Sequence, residues 1–187
     1  MFLILVIALF KSRVINTTVL IQEGHVGRIF GNTGSVHNGL VESEWNSIVG
    51  KEVEHILKEK GIAVERTGAK IPVTNTVIAM AIHFDGAEKE CATGASVGYD
   101  SNGADAKGMA KRWRSAYSSF FPFKWHGDNF TKNLRDYYGY RLVNATKGFL
   151  VLELGEITCQ EQTDWLKPRL KEVATTIANF IIKELER

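Results

Sequence analysis

The stretch TVIAMAIHF, residues 76–84, decides how this chain folds. It is apolar at nearly every position, as a strand buried on both faces must be, whereas a strand with one solvated face alternates apolar and polar residues. The run therefore predicts a central strand of a mostly parallel sheet, with His83 near its end. GFLVLELG (148–155) has the same character, and Glu153 is its only charged residue.

Around these two runs, shorter β-branched segments supply further strands. TTVLIQ (17–22) feeds a glycine-rich loop, GHVGRIFGNTGSVHNG (24–39), while IAVERT (62–67) and ASVGY (95–99) read as two more strands. Helical spacing puts Trp45, Ile48, Val49, Val53, Ile56 and Leu57 on one stripe between Glu44 and Lys60, and Gly61 is the stop. A second helix runs from about Ala104 to Tyr117, with Met109, Trp113 and Tyr117 on one side. An amphipathic helix from about Asp164 to Leu185 closes the chain. Strands alternating with helices make this an α/β fold: a mostly parallel, twisted sheet of about six strands with helices on both faces.

With 187 residues, 44% of them hydrophobic, the chain is long enough for one well-buried core. We read residues 16–187 as a single domain and residues 1–15 as an apolar N-terminal arm. The run MFLILVIALF falls short of the roughly 18 residues that a membrane span needs, so no stable span is expected. It also lacks the preceding positive charge and the small-residue cleavage site of a signal peptide. A packed arm or strand and a degenerate export or anchoring segment remain equal alternatives for it. A formal charge of +2 gives no ground for a nucleic-acid partner. Cys91 and Cys159 form no CxxC pair and are expected to be ordinary buried thiols, with a single disulfide as the second reading.

Four separated residues carry the chemistry. His25, Glu42, His83 and Glu153 each sit where an apolar stretch meets a turn or a helix start. Two imidazoles and a carboxylate suit a catalytic zinc ion, which accepts nitrogen and oxygen ligands and keeps one position open. A second carboxylate can then handle a proton. In parallel sheets ligands bind beyond the carboxyl ends of the strands, where all four residues can converge. Each has rivals. His37, in the glycine-rich loop, is the substitute ligand, and Glu44 competes with Glu42, which could instead be a carboxylate favoured by the helix dipole. His55 and His126 read first as hydrogen-bonding residues. FFPFKWHGDNF (120–130) reads as a surface loop that could line a substrate groove. Glu153 is the strongest candidate, because an unpaired carboxylate in an apolar strand costs several kcal/mol unless it is paired or linked to a metal.

VLIQEGHVG (19–27), GLVESEWN (39–46), AIHFDGA (81–87) and LVLELGEIT (150–158), in that order, resemble the zinc-dependent N-acetylmuramoyl-L-alanine amidases of the type 3 family. The resemblance runs over residues 18–187. It implies one Zn²⁺ held by His25, Glu42 and His83, with Glu153 as the catalytic carboxylate; Asn46, in the matched motif, and His126, in the aromatic loop, are the candidate substrate contacts. It further implies hydrolysis of the amide between N-acetylmuramic acid and L-alanine in peptidoglycan, by a monomer of the phage-lysin or autolysin kind. Such a protein acts at the bacterial cell wall or periplasm, after residence in the host cytoplasm if phage-encoded. A wall-binding relative that has lost its metal, or a zinc peptidase on a similar scaffold, are the alternatives. Three departures stand out: Gln22-Glu23 in place of Asp-Pro, a short segment without a helix between Gly61 and His83, and Glu156 in place of an aromatic residue.

Overall fold

β-branched and apolar residues form the strands where expected, and in the computed structural model, which describes residues 14–187 apart from 102 and 104, these assemble around one long central pair. In chain order the elements are β1 (Ile15–Asn16), β2 (Val19–Glu23), β3 (Val36–His37), β4 (Leu40–Val41), α1 (Glu42–Glu59), β5 (Val64–Thr67), β6 (Thr74–Asp85) and β7 (Ser96–Tyr99). They continue with α2 (Ala106–Ser118), α3 (Lys132–Arg135), a 3-10 turn (Tyr138–Arg141), β8 (Val143–Glu156), α4 (Gln160–Leu166), a second 3-10 turn (Lys167–Arg169) and α5 (Leu170–Leu185). Of the arm expected over residues 1–15, residues 1–13 lie outside the described residues, and Ile15 pairs with Thr74.

The six-stranded sheet runs β5-β2-β6-β8-β7, with β1 also beside β6. Among the described residues, every pairing in this sheet is parallel except β7 with β8. TVIAMAIHF thus lies inside β6, between β2 and β8, which explains why it has no solvated side. Period-two alternation divides its residues between two cores. Ile78, Met80 and Ile82 join Leu150 and Leu152 of β8 in the larger core, with Val49 and Val53 of α1, Trp113 of α2 and Ile177 of α5. Ala79 and Ala81 join Leu20, Phe149 and Val151 in a smaller one, capped by Leu134 of α3 and by Tyr137. Helical segments therefore cover both faces, but unequally: long helices on one and short turns on the other.

Several local expectations change. The closing helix does not start at Asp164; it is α4, a turn containing Pro168, and α5, because proline has no N–H to continue the preceding helical ladder. The glycine-rich loop ends in a two-stranded hairpin, β3–β4, whose Ser35 carbonyl accepts from the Glu42 amide, and α1 consequently begins at Glu42. The segment 120–130 is only partly a surface loop, since Phe121 is buried and Trp125 bridges to Ala95. Cys91 and Cys159 form a disulfide and are not free thiols. Buried Glu156 explains how they meet: its carboxylate accepts from the Cys91 and Thr93 amides at 2.8 and 2.6 Å and from the Thr158 hydroxyl at 2.6 Å. That holds the segment after β6 against the end of β8, next to Cys159. Among the described residues no helix is long and apolar enough to cross a membrane.

Candidate metal centre

The ends of three neighbouring strands and the start of α1 bring the predicted residues together. β2 delivers Gly24 and His25, with His25 in the left-handed region at φ 62°. Gly24 is required here: a Cβ on it would lie 2.3 Å from the His83 ring. On β6 and β8, His83 and Glu153 are register partners, so both project on the face of Ala81 and Val151. The β3–β4 hairpin places Glu42 as the first residue of α1 beneath them.

Glu42 is the hub. Its Oε1 lies 3.3 Å from His25 Nε2 and 3.1 Å from His83 Nδ1, and its Oε2 accepts from the Ser35 amide at 2.9 Å. Candidate ligand atoms of His25, Glu42 and His83 all lie within 4.8 Å of one another. Two donors bonded at about 2.0–2.1 Å to one tetrahedral zinc ion sit about 3.3 Å apart. The two separations from Glu42 match that spacing.

Hydrogen bonding makes the same point. His25 Nδ1 faces the Asn32 carbonyl at 3.0 Å, so that nitrogen carries the proton, and neutral Nε2 turns a lone pair toward the carboxylate. A lone pair beside a carboxylate oxygen needs a cation, either a proton or a metal ion. The residues therefore fit a bound zinc. Without one, burial lowers the basicity of His25, but the hydrogen bond and charge of Glu42 more than offset this and hold it above the ordinary imidazole value. Burial likewise opposes ionisation of Glu42, yet hydrogen bonds and charge from His25 and His83 keep it well below the carboxylate range. Glu153 goes the other way: burial, followed by the charges of Asp85 and Glu42, pushes it well up. Its Oε2 is buried and has no hydrogen-bond partner among the described residues.

A cleft of about 480 Å³ opens over these groups, lined also by Arg28, Asp85, Asp136, Tyr137 and Tyr138. Arg28 lies over the Tyr138 ring, 5.5 Å from its centroid, and donates to the Asn32 carbonyl. No residue of 120–130 lines the cleft; the segment 131–138 does so instead. His126 packs its ring against Phe130 and is not part of the lining. Asn46 is fully buried behind the centre and donates to the Gly24 carbonyl at 2.9 Å and to Glu42 at 3.4 Å. His37 pairs with Asn38, Glu44 is exposed, and His55 pairs with Glu59 on the outside of α1. The sequence reading missed Arg28, Asp85 and Tyr137. For Tyr137 the available signal was the aromatic cluster YYGY at 137–140.

The family model described as N-acetylmuramoyl-L-alanine amidase (Amidase_3) matches residues 19–183. The chain belongs to that amidase family. Solved structures share the fold: the N-acetylmuramoyl-L-alanine amidase AmiC2 of Nostoc punctiforme is 21% identical with a TM-score of 0.67, over 91% of this chain and 98% of that one. CwlD of Clostridioides difficile, solved in complex with the GerS lipoprotein, is 15% identical with a TM-score of 0.74, over 91% and 98%. The catalytic domain of the CD27L endolysin, which targets Clostridia difficile, is 14% identical with a TM-score of 0.63, over 89% and 97%. No curated protein is significantly similar in sequence.

Proposed function

We propose that this amidase hydrolyses the bond between the lactyl carbonyl of N-acetylmuramic acid and L-alanine in peptidoglycan, using one zinc ion held by His25, Glu42 and His83. The observation that carries the reading is the pair of short approaches to Glu42, at zinc-ligand spacing, beside Glu153 Oε2, which has no hydrogen-bond partner among the described residues. When bound, zinc supplies a Lewis acid that polarises a carbonyl and acidifies water. Glu153 takes the proton of the attacking water as its oxygen adds to the lactyl carbon. The same carboxyl then protonates the alanine nitrogen as the C–N bond breaks. Its dry surroundings suit that exchange, since they keep the proton on the carboxyl until the leaving group needs it. Asn46 holds Glu42 and the Gly24 turn from behind. The Cys91–Cys159 disulfide supports action in an oxidising compartment, as at the cell wall or in the periplasm.

Mass spectrometry of digested peptidoglycan tests the reading. Free L-alanine amino termini on released peptides, with intact glycan chains, are expected, and a chelator should abolish their release. Cleavage between amino acids, with the lactyl amide intact, would make this a peptidase instead.

A further inference from the structure

His25 owes its orientation to a main-chain carbonyl, whereas His83 meets a side chain. The Tyr137 hydroxyl lies 3.3 Å from His83 Nε2 and 2.6 Å from Gln22 Oε1. Each group in this chain is buried: Gln22 is fully covered, His83 is 8% exposed and Tyr137 is 9% exposed. The Tyr137 ring is wedged edge-on against His83, Tyr140 and Phe149.

The direction of every proton in this chain follows from its far end. The Gln22 amide nitrogen donates to the Glu23 carbonyl at 2.8 Å and to the Gly68 carbonyl at 3.2 Å, and main-chain carbonyls only accept. With the NH₂ group committed, Oε1 must face Tyr137, and the single hydroxyl proton of Tyr137 must point at Gln22. Toward His83 the phenol oxygen can then only accept. Nε2 must carry a proton, and Nδ1, 3.1 Å from Glu42, is the nitrogen left to meet a metal or, without one, a proton shared with the carboxylate.

We propose that Gln22 and Tyr137 are positioning residues that lock His83 in its Nε2–H tautomer and thereby present Nδ1 to the metal. They do for His83 what the Asn32 carbonyl does for His25, with opposite ring nitrogens, so the two imidazoles offer Nε2 and Nδ1 to one point. The proposal rests on the zinc reading, since an Nδ1 lone pair beside the Glu42 carboxylate needs a cation; without the metal, a proton between Nδ1 and Glu42 fills that place. It also gives a role to Gln22, which stands where the family resemblance leads one to expect aspartate.

Reversing the relay makes a sharper test than deleting it. In Gln22→Leu the phenol loses its acceptor and can donate to His83 Nε2, which moves the imidazole proton onto Nδ1. In Tyr137→Phe the Nε2–H simply loses a partner. The double variant removes the misdirected donor. Zn²⁺ affinity, measured by competition with a chromophoric chelator, should fall about 10- to 100-fold in Gln22→Leu, the range typical for loss of an outer-shell partner, and less in Tyr137→Phe. The double variant should bind zinc more tightly than Gln22→Leu alone. Additive structural damage would make it bind more weakly, and that order would overturn the proposal. Nitrogen NMR of the zinc-loaded protein should show an Nε2–H on His83 in the wild type, slow to exchange against its Tyr137 acceptor, and faster exchange of that proton in Tyr137→Phe. A wild-type Nε2–H that exchanges as fast as that of Tyr137→Phe would overturn the proposal. A wild type that binds no zinc would remove the zinc reading and the proposal with it, whereas zinc binding with the wrong order of variants would remove the relay alone.

Discussion

Leu152 and Glu153 are neighbours on β8, and they end on opposite faces of the sheet. Leu152 is fully buried among Met80, Ile82 and the side chains of α1, α2 and α5, where nothing polar is required. Glu153 faces the cleft beside His83, under a thin cover of short turns, with a carboxyl oxygen that no group among the described residues satisfies. One face is packed for stability. The other holds groups that ordinary folding would avoid, namely a carboxyl pushed up by burial and another held down by two imidazoles. Such a division places the cost of an active site on a scaffold whose stability comes from elsewhere.

Exchanging single residues across that divide tests it. The largest effect should be on chemistry: Glu153→Gln should lower turnover of peptidoglycan by about 10²–10⁴-fold while zinc remains bound. It should also raise the melting temperature of the metal-free protein at neutral pH, because burial pushes the Glu153 carboxyl up and folding at that pH must take up a proton that Gln does not need. Full activity in this variant would remove Glu153 from the reaction. Next comes Leu152→Ala, which should cost about 2–5 kcal/mol in denaturant unfolding. Its turnover per folded molecule should stay unchanged, and a matching loss of turnover would mean that the two faces are not separable. The smallest effect concerns acid. Glu42 is held below the carboxylate range in the folded state, so its stabilisation of metal-free protein is present above that range and lost as pH falls through it. Glu42→Gln should flatten this slope in pH-dependent unfolding, and a variant with the wild-type slope would place the acid response in other groups.

Much of this arrangement was legible along the chain. Near-continuous apolar runs identified β6 and β8, because only strands covered on both faces can lack a polar alternation. The charged or polar exceptions near the ends of those runs, His83 and Glu153, were conspicuous for the same reason. Glu42 was harder, with Glu44 in the same first turn of the same helix; the hairpin before it decides which carboxylate turns inward. Asn46 and His126 show the limit of residue type as a guide. Asn46 supports the centre from within α1, and His126 packs on Phe130, because burial and direction depend on neighbours distant in sequence. The disulfide was also obscure, its two cysteines being 68 residues apart and brought together through Glu156.

By itself, the sequence determined the α/β class, the central strands and the four residues of the candidate centre, since hydrophobic periodicity and ligand chemistry are local properties that composition and spacing carry. Tertiary structure alone decided which face each helix covers, how Cys91 reaches Cys159 and what supports His83. Tyr137 lies 54 residues from His83 and 115 from Gln22. A hydrogen bond demands angstrom-scale placement of its donor and acceptor. Only packing of the 131–141 segment against the cleft face of the sheet supplies that placement.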